Sequence, residues 1–177
     1  MSSRIYLEID GVINALRGPD SWGLDTFDST DFGGYTFVWS TSAVAKLLTL
    51  CQEFDVELIW LTGWSQDIPV LSRVLGFGQF GADARVLEEV GVGATPFQKA
   101  DALLQDLQDN PVGGTENNSG NWIWLDPGTV EVEESIVYLR RMYGEGGGGI
   151  IPPVFEEIGI TPALIGFLTD RLSKMVG

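Results

Sequence analysis

Three short runs constrain the fold of this chain more than any other feature: "RIYLEI" at 4–9, "VELIWL" at 56–61 and "WIWL" at 122–125. Each is too short for a stable helix and rich in β-branched and aromatic residues. Their near-continuous apolar character lacks the alternation of a strand with one wet face. It predicts strands buried on both sides, the habit of parallel sheets. Between them lie helical patterns. Ser42–Phe54 places apolar residues at helical spacing after a Ser/Thr start. "DIPVLSRVLGF" carries Pro69 in its first turn, where a missing N–H does no harm. "PFQKADALLQDL" (96–107), Glu131–Tyr143 and a segment opening on Thr161-Pro162 complete the set. Strands alternating with helices predict an α/β fold, a central, mostly parallel sheet with helices on both faces. At 177 residues one domain, 1–177, is expected to hold its own core.

The stretch after the first strand breaks the alternation. "NALRGPDSWGLDTFDSTDFGGYTF" (14–37) is rich in Gly, Asp and Ser with interspersed aromatics. It predicts a long loop or a small flap containing a hairpin, an insert bounded at 14–40. Trp22, Phe27, Phe32 and Tyr35 either form a lid over a site or pack as a hairpin on the core. Residues 110–121 read as a polar loop, and "GEGGGG" at 144–149 as a glycine-rich loop too short to divide domains.

Charge narrows the partners. With 25 acidic against 10 basic side chains, net −15, the average field repels duplex nucleic acid. The acidic surface serves solubility, or docks on a basic protein partner. Histidine is absent, which removes the usual neutral-pH base and a common metal ligand. Chemistry here must rest on carboxylates, Lys, Thr or Ser. The single cysteine, Cys51, rules out an internal disulfide and sits in a helical pattern as a buried thiol. There is no basic, hydrophobic leader and no apolar run of membrane-span length, so a cytoplasmic protein without membrane contact is the expectation.

Against this background two carboxylates, Glu8 and Asp10, stand out at the carboxyl end of a buried strand. Period-two spacing would put them on one side. In open α/β sheets ligands bind outside the carboxyl ends of the strands. Glu8, Asp10, Thr62 and Asp126 all fall at such ends and would converge on one crevice. Singly, each has an ordinary explanation: Asp10-Gly11, Thr62-Gly63 and Asp126-Pro127-Gly128 are turn signals, and Lys99 at a helix start is commonly solvated. Their joint placement on one edge is what points to a site.

These residues carry a resemblance. "YLEIDGVIN", "LIWLTGW", Lys99 and "WIWLDPG", in that order, resemble the four motifs of the haloacid dehalogenase-like (HAD) hydrolase superfamily. They are most similar to small HAD-type proteins reading roughly "YLDVDGVLNP…WATGW…K…WIDDE". The similarity runs from Arg4 to about Glu134, and "PPVFEEIGITPALIGFL" is similar to that group's closing segment and helix. The resemblance implies a three-layer Rossmann-like fold and a Mg²⁺-dependent phosphohydrolase acting on a small phosphorylated substrate. Glu8 would hold the position of the carboxylate that attacks phosphorus, and Asp10 that of the residue that protonates the leaving group and activates water. Thr62 and Lys99 would bind the phosphoryl group, with Gly11, Gly63 and Trp64 around the ligand. Mg²⁺ would be held by Glu8, the backbone carbonyl of Asp10, and Asp126.

Two positions depart from the pattern. The superfamily nucleophile is aspartate. Glutamate moves the carboxylate by about 1.5 Å, and a misplacement of about an ångström can lower a rate on the order of a hundredfold. The relatives' second motif-four Asp is Pro127 here, with Glu131, Glu133 and Glu134 as candidate replacements. Metal binding should survive these changes better than turnover. The expectation is therefore a HAD-like protein with a Mg²⁺-binding carboxylate site, catalytically impaired by Glu8. The alternative is a non-catalytic acidic HAD-fold protein that docks on a protein partner.

Overall fold

The computed structural model describes residues 3–15, 27–78, 84–88, 90–110, 122–127, 134, 137, 149, 152, 154 and 158–176. The apolar runs form strands β1 (Ser3–Leu7), β4 (Val56–Trp60) and β6 (Trp122–Leu125) of one parallel sheet, joined by a short strand β5 (Arg85–Val86) in the order β5-β4-β1-β6. β1 lies between β4 and β6, with Leu7 in register beside both Trp60 and Leu125. The carboxyl ends of three strands are therefore level. The chain runs outward from β1 to β4 and β5, then crosses back to β6, so β1 marks the point where the strand order reverses.

Side-chain alternation divides the interior in two. Ile5 and Leu7, with Leu58, Trp60, Ile123 and Leu125, face α1 (Thr41–Glu53), α2 (Ile68–Val74) and α4 (Pro162–Val176). Tyr6, Ile59, Leu61, Trp122 and Trp124 face the opposite way, onto Ala100, Leu103, Leu104 and Leu107 of α3 (Pro96–Asp109). Helices thus cover both faces, as two-sided burial of the strands requires. The helix starts follow local chemistry. Ser40 caps α1 by accepting from the Ala43 amide at 3.1 Å, and Thr95 with Gln98 forms a capping box ahead of Pro96. The Thr161 hydroxyl accepts from Leu164 at 3.1 Å just before Pro162 completes the same device at α4.

The described part of the 14–40 segment includes an antiparallel hairpin, β2 (Phe27–Phe32) and β3 (Tyr35–Ser40). Its two-residue turn, Gly33-Gly34, has positive φ at both positions (60° and 84°), the geometry glycine supplies freely. Phe37 and Trp39 are buried in the core, so the hairpin packs as an extension of the α1 side. Trp22 lies outside the described residues, as do the 111–121 loop, the 144–148 glycines and nearly all of the expected 131–143 helix.

Two expectations change. β1 ends at Leu7 because the Ile9 carbonyl accepts the amides of Val12, Ile13 and Asn14, closing a tight turn. β5 has no counterpart in the sequence reading, since two residues carry no period.

At the amino ends of the strands a charged network ties α3 to the sheet. Arg4 Nε and Arg85 Nη2 reach Glu57 at 2.8 and 3.1 Å, Arg85 also pairs with Asp106, and the Tyr6 hydroxyl donates to Asp106 at 2.7 Å. Burial alone would raise the Glu57 pKa, but its bonds from Arg85 and Arg4 outweigh this and hold it below the usual carboxylate value. Burial pushes the Tyr6 phenol up to about 12. Among the described residues no helix is long and apolar enough to cross a membrane.

Trp60 is fully buried and meets Phe77 edge-on at 4.9 Å between ring centres. Trp60→Ala is expected to lower stability by about 3–5 kcal/mol in urea unfolding. Val92→Ser, at a residue 94% exposed, should stay within about 0.5 kcal/mol of the unchanged protein.

Candidate functional site

The ladder continues one step beyond the strands: the Glu8 amide donates to the Leu125 carbonyl and the Leu61 amide to the Leu7 carbonyl, both at 3.0 Å. Alternation then places Glu8 after Tyr6, and Asp126 after Trp124, on the face that α3 covers. α3 presents Lys99 from its first turn at this edge. The outcome is a buried cluster: Glu8 is 5% exposed, Asp126 4%, Lys99 8% and Thr62 0%.

Its bonding is closed upon itself. The Lys99 ammonium donates to Glu8 Oε2 and, at 2.7 Å, to Asp126 Oδ2. Glu8 Oε1 accepts the Thr62 hydroxyl and, at 2.7 Å, the Ile9 amide. The Thr62 oxygen in turn accepts from the Trp64 amide at 3.3 Å. Burial pushes both carboxyl groups above their ordinary values, against the pull of Lys99. For Lys99 burial works against the charge, yet Glu8 and Asp126 outweigh it and hold the ammonium above its usual value.

Asp10 goes elsewhere. The turn that ends β1 leaves it exposed, its Oδ2 accepting the Trp64 indole N–H at 2.8 Å and its Oδ1 the Asn14 amide at 3.1 Å. The Asn14 side-chain oxygen, Oδ1, accepts from the Val38 amide at 2.9 Å, which couples Asp10 to β3. Glu8 and Asp10 therefore have separate partners, where simple two-residue periodicity puts them side by side. They still share a cavity of about 260 Å³, lined by Glu8, Asp10, Gly11, Gly63, Gly93, Ala94, Lys99, Asp126 and Pro127.

Of the expected site residues, Glu8, Asp10, Gly11, Gly63, Lys99 and Asp126 line this cavity. Thr62 lies beneath it through its bond to Glu8. Trp64 stands beside it, packed edge-on against Phe32, Tyr35 and Phe37 at 6.4, 5.3 and 5.2 Å. Gly11, at φ 73°, makes the turn after β1. A Cβ on Gly63 would stand 3.4 Å from both the Gly91 carbonyl oxygen and the Val92 Cα, so the small residue admits the 91–93 loop. That loop and Asn14 escaped the sequence reading. The glycine pair in "GVGAT", just ahead of a capped helix, was the available signal. Of the candidate replacements for the second motif-four acid, Glu131 and Glu133 lie outside the described residues and Glu134 is exposed.

Among the described residues no group of three or more His, Cys, Asp or Glu side chains is placed to hold a metal ion. The set implied by the resemblance needs only two side chains, Glu8 and Asp126, with the Asp10 carbonyl as third ligand. Both carboxylates converge on one cationic centre, Lys99 Nζ. No protein-family model matches the chain, and neither does any curated protein or solved structure.

Removing the ammonium would leave two buried carboxylates without their cation. Lys99→Met is expected to destabilise the protein by about 3–5 kcal/mol near neutral pH. Because burial already raises both carboxyl pKa values, protonation relieves the unpaired charge as the pH falls, and the deficit should shrink toward acid. Thermal melts of both proteins across the acid-to-neutral range check this; a deficit that grows toward acid contradicts it.

Proposed function

We propose that the chain is a HAD-like protein whose carboxyl-edge cavity is a phosphoryl and Mg²⁺ site with impaired turnover. The observation that carries this reading is the convergence of Glu8, Thr62, Lys99 and Asp126, residues from four separate elements, on one buried point. Position 8 stands where a carboxylate would attack phosphorus, and Asp10 at the rim carries the proton to the leaving group. Thr62 and Lys99 supply the donors for phosphoryl oxygens. When bound, Mg²⁺ would be held by Glu8, the Asp10 carbonyl and Asp126, and would offset the charge of a small phosphorylated substrate. Glu8 limits the chemistry: its extra methylene displaces the attacking oxygen, and its carboxylate is already held by Thr62, Ile9 and Lys99.

That last observation also favours a second reading, a non-catalytic binding protein. Its net charge of −15 suits docking on a basic protein partner. Turnover separates the two. With Mg²⁺ and p-nitrophenyl phosphate, the unchanged protein should show little hydrolysis. Glu8→Asp should raise it at least tenfold, and adding Asp10→Asn should abolish the gain. A well-folded Glu8→Asp protein that stays inactive would favour the binding reading. Strong wild-type hydrolysis lost on Asp10→Asn would refute the impairment.

A further inference from the structure

Resting on the phosphoryl-site reading, we infer that Glu8 is the resident anion of that site: its own carboxylate fills the cradle that would otherwise receive a tetrahedral oxyanion. The donors beneath the cavity are the Thr62 hydroxyl, the Ile9 amide and the Lys99 ammonium, and all three donate to Glu8. Glu8 is 5% exposed, and both of its carboxylate oxygens are engaged by these donors. The extra methylene of glutamate lets the carboxylate lie among groups suited to phosphoryl oxygens.

Charge favours the resident carboxylate over an entering anion. The cavity lining carries three carboxylates, Glu8, Asp10 and Asp126, and one ammonium, Lys99. An entering phosphate would meet an excess of negative charge and find the buried donors engaged. Taking away the Glu8 carboxylate removes one negative charge and frees the Thr62 hydroxyl, the Ile9 amide and one Lys99 N–H together. The site then becomes a receptor for an oxyanion of about that size. Glu8 thus acts as a built-in plug, and its removal gains binding where removal of an ordinary ligand-contacting residue loses it.

The test is the affinity for inorganic phosphate, measured by calorimetric titration of the full chain in metal-free buffer, because Glu8 is itself a proposed Mg²⁺ ligand, and repeated with Mg²⁺. Glu8→Ala should bind phosphate at least tenfold more tightly than the unchanged protein. Adding Thr62→Val should reverse most of the gain. If Glu8→Ala does not fold, Glu8→Asp serves, since a shortened arm withdraws the plug and should also raise the affinity. Equal, measurable affinity in the unchanged protein and the folded variant would overturn the plug while leaving the phosphoryl site standing. A folded variant set in which none binds phosphate, either without or with Mg²⁺, would overturn both.

Discussion

Lys99 holds the carboxyl edge of the sheet together. The parallel register brings Glu8 and Asp126 to the tips of adjacent strands, and burial there disfavours two negative charges side by side. A single ammonium, delivered from the first turn of α3, bonds both. The same helix is anchored near its other end, where Asp106 meets Arg85 and the Tyr6 hydroxyl. Charge therefore clamps α3 across the sheet at two places, with Ala100, Leu103 and Leu104 packed between them and Leu107 just beyond. The position of Lys99 is a consequence of that whole helix being fixed.

The edge has a floor and a rim. The floor is the buried set of Glu8, Thr62, Lys99 and Asp126, in which each polar group finds its partner inside the set or on adjacent backbone. The rim is Asp10, exposed and bonded to Trp64 and Asn14, and through Asn14 to the hairpin strand β3. A carboxylate on the rim keeps access to solvent. A carboxylate in the floor gives up that access for strong local bonding. The contrast between Glu8 and Asp10 is thus one of environment, although both are acids two residues apart.

Much of this was legible in the sequence. "VELIWL" and "WIWL" read as strands because burial on both faces leaves no polar alternation. Thr161-Pro162 announces a helix start through the hydrogen bond its hydroxyl can accept, whereas the caps Ser40 and Thr95 emerged only with the structure. The convergence of Glu8, Thr62 and Asp126 followed from a parallel sheet plus the position of each at a strand end, whereas Lys99 was tied to them through the family resemblance. Other features were hidden for physical reasons. β5 is two residues long and its pairing depends on β4, so no local pattern betrays it. Asp10 turns away from Glu8 because three amides fold onto the Ile9 carbonyl, a tertiary turn that period-two counting cannot anticipate. The mutual satisfaction of Glu8 and its donors was hidden as well: residue types suggest ligands for each, and only packing reveals that they serve one another.

Whether Glu8 occupies the cradle made by Thr62, Ile9 and Lys99 can be seen in a crystal structure of the unchanged chain grown in phosphate and Mg²⁺. Electron density should place the Glu8 carboxylate on the Thr62 hydroxyl and the Lys99 ammonium, with no tetrahedral anion between them. Phosphate bonded to Thr62 and Lys99, with the Glu8 side chain swung out of the floor, would contradict it.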